Sequence, residues 1–291
     1  MRITGNRLID LAAASTTKNQ SQVAEVSAQV SSGMRVTTPS DDPAAWLAAQ
    51  RTKMHKALSE GTGAAVTESR DRLQVTDNAL ASIGDVVSQI RTLAVQGSSD
   101  TYNANNRAAL GDQVRGLFLS ALDSANVRGR DGEFLLAGTN SLTAPFDASG
   151  AYTGDATVRA VPSDTSLTAG VTIAGTDLTA ANGVDVLPLL DRVATALSTN
   201  DMPTLLASLS DLDTATKQIS TVRSHTGGAM AFLDQATAAR GPLEENMQQA
   251  ISRFVEADAV GTASELAKAT QSLEVSRAVT QHIIAALAPS T

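Results

Sequence analysis

The chain has 291 residues, of which 42% are hydrophobic but only 3% aromatic, so its apolar content is mostly Ala, Val and Leu. Such side chains suit helices that approach closely along thin seams better than a thick globular core. The formal net charge of −8 argues against nucleic acid as a partner, because nucleic-acid-binding proteins carry basic patches. The chain lacks cysteine, which excludes disulfides and thiolate metal sites, and no stretch approaches the roughly 20 consecutive apolar residues of a membrane span.

A first helix is predicted over residues 6–33. Its apolar residues follow a 3–4 spacing that a polar stretch at 15–22 interrupts. These apolar residues are Leu8, Ile9, Ala12, Val23, Val26 and Val30. A stripe this thin is marginal on an isolated helix, so we expect the helix to depend on partner helices.

The segment after this helix is a proline-bounded turn. Pro39 and Pro43 end the helix, and Asp42 before Pro43 is typical of an N-cap residue followed by the first helical position. We interpret the acidic pair Asp41–Asp42 as capping with a favourable dipole interaction rather than as a catalytic site. The next helix is predicted from Pro43 to about residue 60, with a break or kink at the two glycines of 61–63.

A long helix is predicted over 65–97, where apolar residues keep a heptad-like register. They are Leu73, Leu80, Ile83, Val87, Ile90 and Ala94. A polar loop and a shorter helix to about residue 127 follow. From residue 129 the pattern changes to β-prone runs at 134–137, 156–161 and 171–174, separated by Gly, Pro, Asp and Ser, which predicts a β-rich insert.

Helical periodicity returns at residue 184. One helix is predicted to about residue 197 and another from Met202, with interruptions at 227–228 and 241–242, before a final helix over about 242–286. The predicted fold class is mainly α: an elongated antiparallel helical bundle or coiled coil whose small β-rich insert lies at the end distal from the termini. The predicted domains are an N-terminal assembly helix and turn at 1–42, the N-terminal half of a helical rod at 43–128, the surface-exposed insert at 129–183, the C-terminal half of the rod at 184–254, and a C-terminal assembly helix at 255–291.

The chain offers no constellation typical of catalysis. His55, His225 and His282 stand in no HExxH arrangement. The glycine-rich pieces at 129–132 and 150–155 lack the spacing of a Walker A or an EF-hand loop. We therefore predict a protein that is not an enzyme, with no catalytic residues, no cofactor and no metal.

The apolar stripes near the two termini lack an obvious cover, because no other part of the chain offers enough apolar surface for them. We predict that they are buried between subunits. The predicted assembly interface comprises Leu8, Ile9, Val23, Val26, Val30, Leu266, Leu273, Ile283 and Leu287.

Short motifs follow one another along the chain: MRIT at 1–4, PSDDP at 39–43, GEFLLAG at 132–138, VEAD at 255–258 and QSLEVS at 271–276. In this order they resemble the flagellin superfamily and, within it, the proteins of the hook–filament junction. The PSDDP turn is the most distinctive of them, because a flagellin typically has SAKDD or a similar sequence there.

The resemblance implies a structural subunit of the bacterial flagellum that connects the hook to the flagellin filament as a mechanical adaptor. Its implied partners are other copies of itself in a ring of about eleven subunits, the first junction protein, flagellin and a cytoplasmic export chaperone, with neither nucleic acid nor a membrane. The implied location is extracellular, reached through the flagellar type III export channel without a cleaved signal peptide. We predict a load-bearing junction contact at the turn formed by Pro39, Ser40, Asp41, Asp42 and Pro43.

Two alternatives remain open from the sequence. One is a short flagellin that forms the filament itself, which self-polymerisation of the purified protein into long filaments favours. The other is a helical surface module for adhesion or binding that uses the middle region as a receptor. Its presence on cells that lack a hook favours this second alternative.

Overall fold

The computed structural model describes residues 2–158, 160–162, 168–170 and 173–287, with side chains described for 7–158 and 173–286. Most of these residues are helical, which confirms the mainly α class. The helices are α1 (Arg2–Ser32), α2 (Pro43–Gly97), α3 (Ala104–Ala125), α4 (Val186–Ser198), α5 (Met202–Val255) and α6 (Ala259–Leu287). Two strands, β1 (Ala160–Pro162) and β2 (Thr168–Gly170), and two 3-10 turns, Gly175–Leu178 and Ala180–Asn182, lie between α3 and α4.

The chain divides into two compact units. The terminal unit contains residues 1–58 and 243–291, and the central unit contains residues 59–242. Both ends of the sequence therefore belong to one unit. Each unit takes part of α2 and part of α5, since these two helices pass from one unit into the other.

The core of the central unit is formed by α2, α3, α4 and α5. The six residues predicted to hold the heptad-like register of α2 are all buried, with exposures of 0 or 1%. Helix α4 is apolar over most of its circumference, and eight of its residues are buried, as expected for a helix enclosed by others. Its buried large side chains are Val186, Leu187, Leu189, Leu190, Val193 and Leu197.

Ion pairs fix the direction of α2 against α5 within the central unit. Arg70 pairs with Asp234 at 2.5 Å, and Arg91 pairs with Asp213 at 2.5 Å. Residue numbers rise along α2 while those of the partners fall along α5, so the two helices run antiparallel. The pairs are partly exposed, so each contributes little stability, but they specify the alignment.

The helix breaks predicted at 61–63, 227–228 and 241–242 are wrong, because α2 and α5 continue through them. A glycine inside a helix costs only about 1 kcal/mol relative to alanine, which tertiary packing outweighs. Glycine at position 63 has a positive use: a Cβ there would collide with the guanidinium of Arg240. Proline at position 242 also remains inside α5.

The final helix is therefore not the predicted 242–286 element. Helix α5 ends at Val255, and α6 begins at Ala259. At the break, the Ala257 N–H donates to the Gly33 carbonyl at 2.9 Å, and the Asp258 side chain accepts from the Val260 N–H at 3.1 Å. These bonds give partners to backbone groups where the helical ladder is interrupted.

The predicted β-rich insert at 129–183 is also wrong. Among the residues described there, strand pairing is limited to β1 with β2, three residues each and antiparallel, and to single bridges such as Phe146 with Tyr152. Residues 159, 171 and 172, which belong to two of the predicted β-prone runs, lie outside the described residues. The other residues described in the insert form turns, extended segments and 3-10 turns.

Packing and side-chain hydrogen bonds replace a sheet in this insert. Leu136 is fully buried in the same apolar cluster as residues of α2 to α5, so the run 134–137 supplies core side chains and not a ladder. The Asp155 carboxylate accepts hydrogen bonds from the backbone N–H groups of Thr139, Asn140 and Thr157. Bonds from Thr139 above all hold the pKa of Asp155 far below its ordinary value.

Candidate assembly surface and junction turn

Helices α1 and α6 meet along what we call the terminal seam. On each helix the positions shielded from solvent alternate in steps of three and four residues, which is the spacing of a coiled-coil stripe. The seam positions of α1 are Ile9, Ala12, Thr16, Asn19, Val23 and Val26. Those of α6 are Thr262, Leu266, Ala269, Leu273, Ser276, Thr280 and Ile283.

Side-chain contacts across the seam show that α1 and α6 run antiparallel. The Thr16 Oγ1 lies 2.9 Å from the Ser276 Oγ, and the Asn19 Nδ2 donates to the Ser272 carbonyl at 3.3 Å. The Thr280 Oγ1 donates to the Ala12 carbonyl at 3.5 Å. Residue numbers therefore rise along α1 as they fall along α6.

The seam is shallow. Among the side chains described in α1 and α6, only Val26, Thr262 and Ala269 are buried. The other seam positions are half-buried, although several carry large apolar side chains such as Leu266 and Leu273. Two helices alone leave much of each stripe in water, so further helices are needed to bury it.

The nine residues of the predicted assembly interface fall into separate groups. Val26 is 7% exposed, and five others are half-buried at the seam: Ile9, Val23, Leu266, Leu273 and Ile283. Leu8 and Val30 point to solvent, with 55% and 44% of their surface exposed. The side chain of Leu287 lies outside the described residues. Whether these residues contact another subunit stays a prediction.

Sequence reasoning missed an apolar face that lies outside the seam. Leu11 is 73% exposed, and on α6 Val275 and Val279 are 58% and 49% exposed. A groove of about 440 Å³ between the two helices is lined by both valines and by small or polar residues such as Ala12 and Ser15. The i, i+4 spacing of the two valines was the signal that could have indicated this second stripe.

The junction turn is organised by Asp41. Its Oδ2 accepts the backbone N–H groups of Thr37 at 2.9 Å and Thr38 at 2.8 Å, and its Oδ1 accepts the Thr38 hydroxyl at 2.8 Å. These bonds, the Thr38 N–H first, lower the pKa of Asp41 to about 2. The carboxylate thus stabilises the backbone that carries the exposed residues Pro39 and Ser40.

Asp42 caps α2 and links the turn to α5. Its Oδ1 accepts the Ala45 N–H at 3.0 Å, which confirms the predicted N-cap with Pro43 at the first helical position. Its Oδ2 pairs with Arg35 at 3.1 Å, and Arg35 also donates to the Phe254 carbonyl at 3.1 Å. The Ala45 N–H and Arg35 lower the pKa of Asp42.

The side chains of the seam and the turn make contacts between helices and cap a helix end. In the part of the chain that the structure describes, no three His, Asp or Glu side chains lie close enough together to hold a metal ion. None of the described helices combines the length and the apolar character needed to cross a membrane.

Residues 6–141 match the family described as the bacterial flagellin N-terminal helical region. Over this stretch, which is just under half of the chain, the chain resembles the flagellin superfamily. This stretch covers, in chain order, most of α1, the turn, α2 and α3.

Two curated relatives and one solved structure are similar to the chain. It is 27% identical to flagellar hook-associated protein 3 of Salmonella typhimurium, over 53% of this chain and 49% of the relative. It is 29% identical to a flagellin of Shigella flexneri, over 68% of this chain and 38% of the relative. The crystal structure of FlgL from Xanthomonas campestris shares the fold, with a TM-score of 0.61 and 18% identity over 70% of this chain and 99% of that one. The chain spans about half the length of the first relative and less than half the length of the second.

Proposed function

We propose that this chain is a structural junction subunit of the bacterial flagellum, which connects the hook to the flagellin filament as a mechanical adaptor. The observation that carries the proposal is the terminal unit itself, where a shallow seam and exposed apolar side chains require further helices for burial. The PSDDP turn at 39–43 and the similarity to flagellar hook-associated protein 3 support the junction role over that of a filament subunit.

The distribution of charge also supports association through the terminal unit. That unit contains ten basic and ten acidic residues, whereas the central unit contains twelve basic and twenty acidic residues. The whole net charge of −8 therefore belongs to the central unit. Copies of the chain can approach through their terminal units without net repulsion, while like charge keeps the central units apart.

The proposed assembly has several parts. Segments 1–42 and 255–291 act as assembly helices of a ring of about eleven copies. The first junction protein and flagellin lie on its two sides, and an export chaperone binds the C-terminal segment in the cytoplasm. The segment 129–183 faces outward. The chain acts at the extracellular hook–filament junction by contacting its neighbours, without enzymatic chemistry. In this arrangement the turn at Pro39–Pro43 carries load, since Arg35 and Asp42 connect it to the end of α5.

Replacement of the exposed apolar residues of α1 and α6 tests the proposal. We expect Leu11→Gln with Val275→Gln and Val279→Gln to leave export intact but to abolish filament attachment, because the surface that neighbours cover becomes polar. The variant is expressed in cells that lack their own copy of the gene. Filaments are counted by electron microscopy, and the variant and shed flagellin are measured in the medium.

The matched control changes three exposed apolar residues of the central unit. Leu119, Leu142 and Val95 are 57%, 83% and 47% exposed, which resembles the exposure of the test residues. Their replacement by Gln is expected to leave filaments in place. Normal filament numbers with the first variant, or an equal loss with the control, contradict the proposal.

A short flagellin is the second candidate, supported by the similarity to the Shigella flexneri protein over 68% of this chain. Polymerisation of the purified chain into long filaments, without hook proteins, favours this candidate. A junction subunit stays monomeric under the same conditions. Detection of the chain on cells without a hook favours instead a surface adhesion module.

A further inference from the structure

Polar side chains occupy the middle of the terminal seam, where a two-helix coiled coil normally has apolar ones. We call Thr16, Asn19, Ser276 and Thr280 the polar layer. Each occupies a seam position, and each is half-buried. Apolar seam residues lie on both sides of the layer, with Ile9 and Ala12 before it on α1 and Val23 and Val26 after it.

The members of the polar layer contact one another or the backbone of the facing helix. The Thr16 Oγ1 lies 2.9 Å from the Ser276 Oγ and 3.0 Å from the Thr280 Oγ1. The Asn19 Nδ2 donates to the Ser272 carbonyl at 3.3 Å. Thr16, Ser276 and Thr280 therefore form a connected set of hydrogen bonds across the seam, and Asn19 adds a separate bond.

We propose that the polar layer sets the register in which α1 and α6 pair. A slip of one heptad keeps the two stripes facing each other but mismatches their side chains, with Ile9 opposite Ser276 and Val23 opposite Thr262. Such a slip brings Thr16 opposite Ala269, where no hydroxyl is available. Only the observed register lets the hydroxyls of Thr16 and Ser276 meet, so the polar layer faces itself there and faces apolar side chains in the slipped register.

The same layer keeps the pairing separable. The Thr16 Oγ1 also reaches the Ala12 carbonyl of its own helix at 2.9 Å, and the Thr280 Oγ1 reaches the Ser276 carbonyl at 2.8 Å. When the helices part, these hydroxyls keep partners, so no orphaned polar group opposes separation. The polar layer thus selects a register but contributes little affinity between the helices. An apolar layer would contribute more affinity and would select the register less sharply.

Disulfide trapping in the purified full-length chain tests this inference, since the natural chain has no cysteine to interfere. The observed register places Val23 opposite Ala269, one heptad along from the contact between Thr16 and Ser276. A slip of one heptad places Val23 opposite Thr262. The pair Val23→Cys with Ala269→Cys reports the observed register, and Val23→Cys with Thr262→Cys reports the slipped one.

In the otherwise natural chain, we expect the disulfide between positions 23 and 269 to form in about tenfold excess over the disulfide between positions 23 and 262. About one net hydrogen bond is enough to produce this ratio. With Thr16→Val and Thr280→Val, which remove the hydroxyls at nearly constant volume, we expect the two yields to come within about twofold. With Thr16→Ser and Thr280→Ser, which retain the hydroxyls, the excess is expected to return.

The matched control is Thr17→Val with Thr270→Val. Both residues are exposed, and their hydroxyls bond to carbonyls of their own helices: Thr17 to Ala13 at 3.0 Å, and Thr270 to Leu266 at 2.9 Å and Ala267 at 2.8 Å. This control is expected to keep the tenfold excess. An unchanged excess in the Thr16 and Thr280 valine variant, or equal yields in the natural chain, overturns the inference. The outcome does not depend on the junction role, because it concerns pairing within one chain, whereas filament attachment is measured in cells.

Discussion

The central and terminal units bury their helices to different depths. In the central unit Leu80, Ile83 and Val87 of α2 are completely enclosed, with exposures of 0%. In the terminal unit the large apolar side chains of the seam are mostly half-buried, and Leu11 is 73% exposed. In the central unit the chain itself covers the apolar surface of its helices. In the terminal unit part of the apolar surface of the helices stays uncovered. This uncovered surface is available for association.

A pair of leucine truncations tests the difference between the two units, and it has the largest expected effect. Leu80→Ala is expected to lower the free energy of unfolding by about 2–5 kcal/mol, because it leaves a cavity in a closed core. Leu273→Ala is expected to cost about 1 kcal/mol or less, because the side chain is only partly buried and its site is open to water. Urea denaturation of the full chain, followed by circular dichroism, gives both values.

Leu119→Ala serves as the control for the mutation itself, since Leu119 lies on α3 of the central unit but is 57% exposed. We expect it to change the free energy of unfolding by less than about 0.5 kcal/mol. A loss for Leu273→Ala as large as that for Leu80→Ala contradicts the contrast between the units.

A smaller effect is expected from the junction turn. The pKa of Asp41 is lowered to about 2 in the folded chain by bonds from Thr38 and Thr37, against 3.8 for the free group. Its ionised form therefore stabilises the turn above about pH 4, and this stabilisation is lost as the pH falls from 3.8 toward 2. Asp41→Asn is expected to make the fall in melting temperature over this range less steep.

Ser40→Ala is the matched control, because it leaves the Asp41 carboxylate and its backbone donors in place. Its melting temperature is expected to follow that of the natural chain at every pH. An Asp41→Asn profile that overlays the natural one below pH 4 contradicts a role for this carboxylate in holding the turn.

The helical class, the register of α2 and the N-cap at Asp42 were predictable from the sequence. Each depends on a local pattern: the repeat of buried residues such as Leu73 and Leu80, and an acidic residue before a proline. The thinness of the α1 stripe and its polar stretch at 15–22 were also visible, although the partners of Thr16 were not.

The rest depended on contacts that local patterns do not contain. The local pattern predicts that glycine at position 63 breaks the helix, but its missing Cβ makes room for Arg240, which is distant in sequence. The pattern at 134–137 predicts a β-prone run, but Leu136 packs into a helical core. The end of α5 at Val255 depends on the hydrogen bond from Ala257 to Gly33, between residues far apart in the chain.

Amide hydrogen exchange tests most directly the claim that α1 and α6 are completed only by neighbouring subunits. In the free chain we expect amides of α1 and α6 to exchange at least about 100-fold faster than those of α3 and the enclosed part of α2. After incorporation at the hook–filament junction, we expect their exchange to slow toward that of the central unit. Equal protection of α1 and α3 in the free chain contradicts the account.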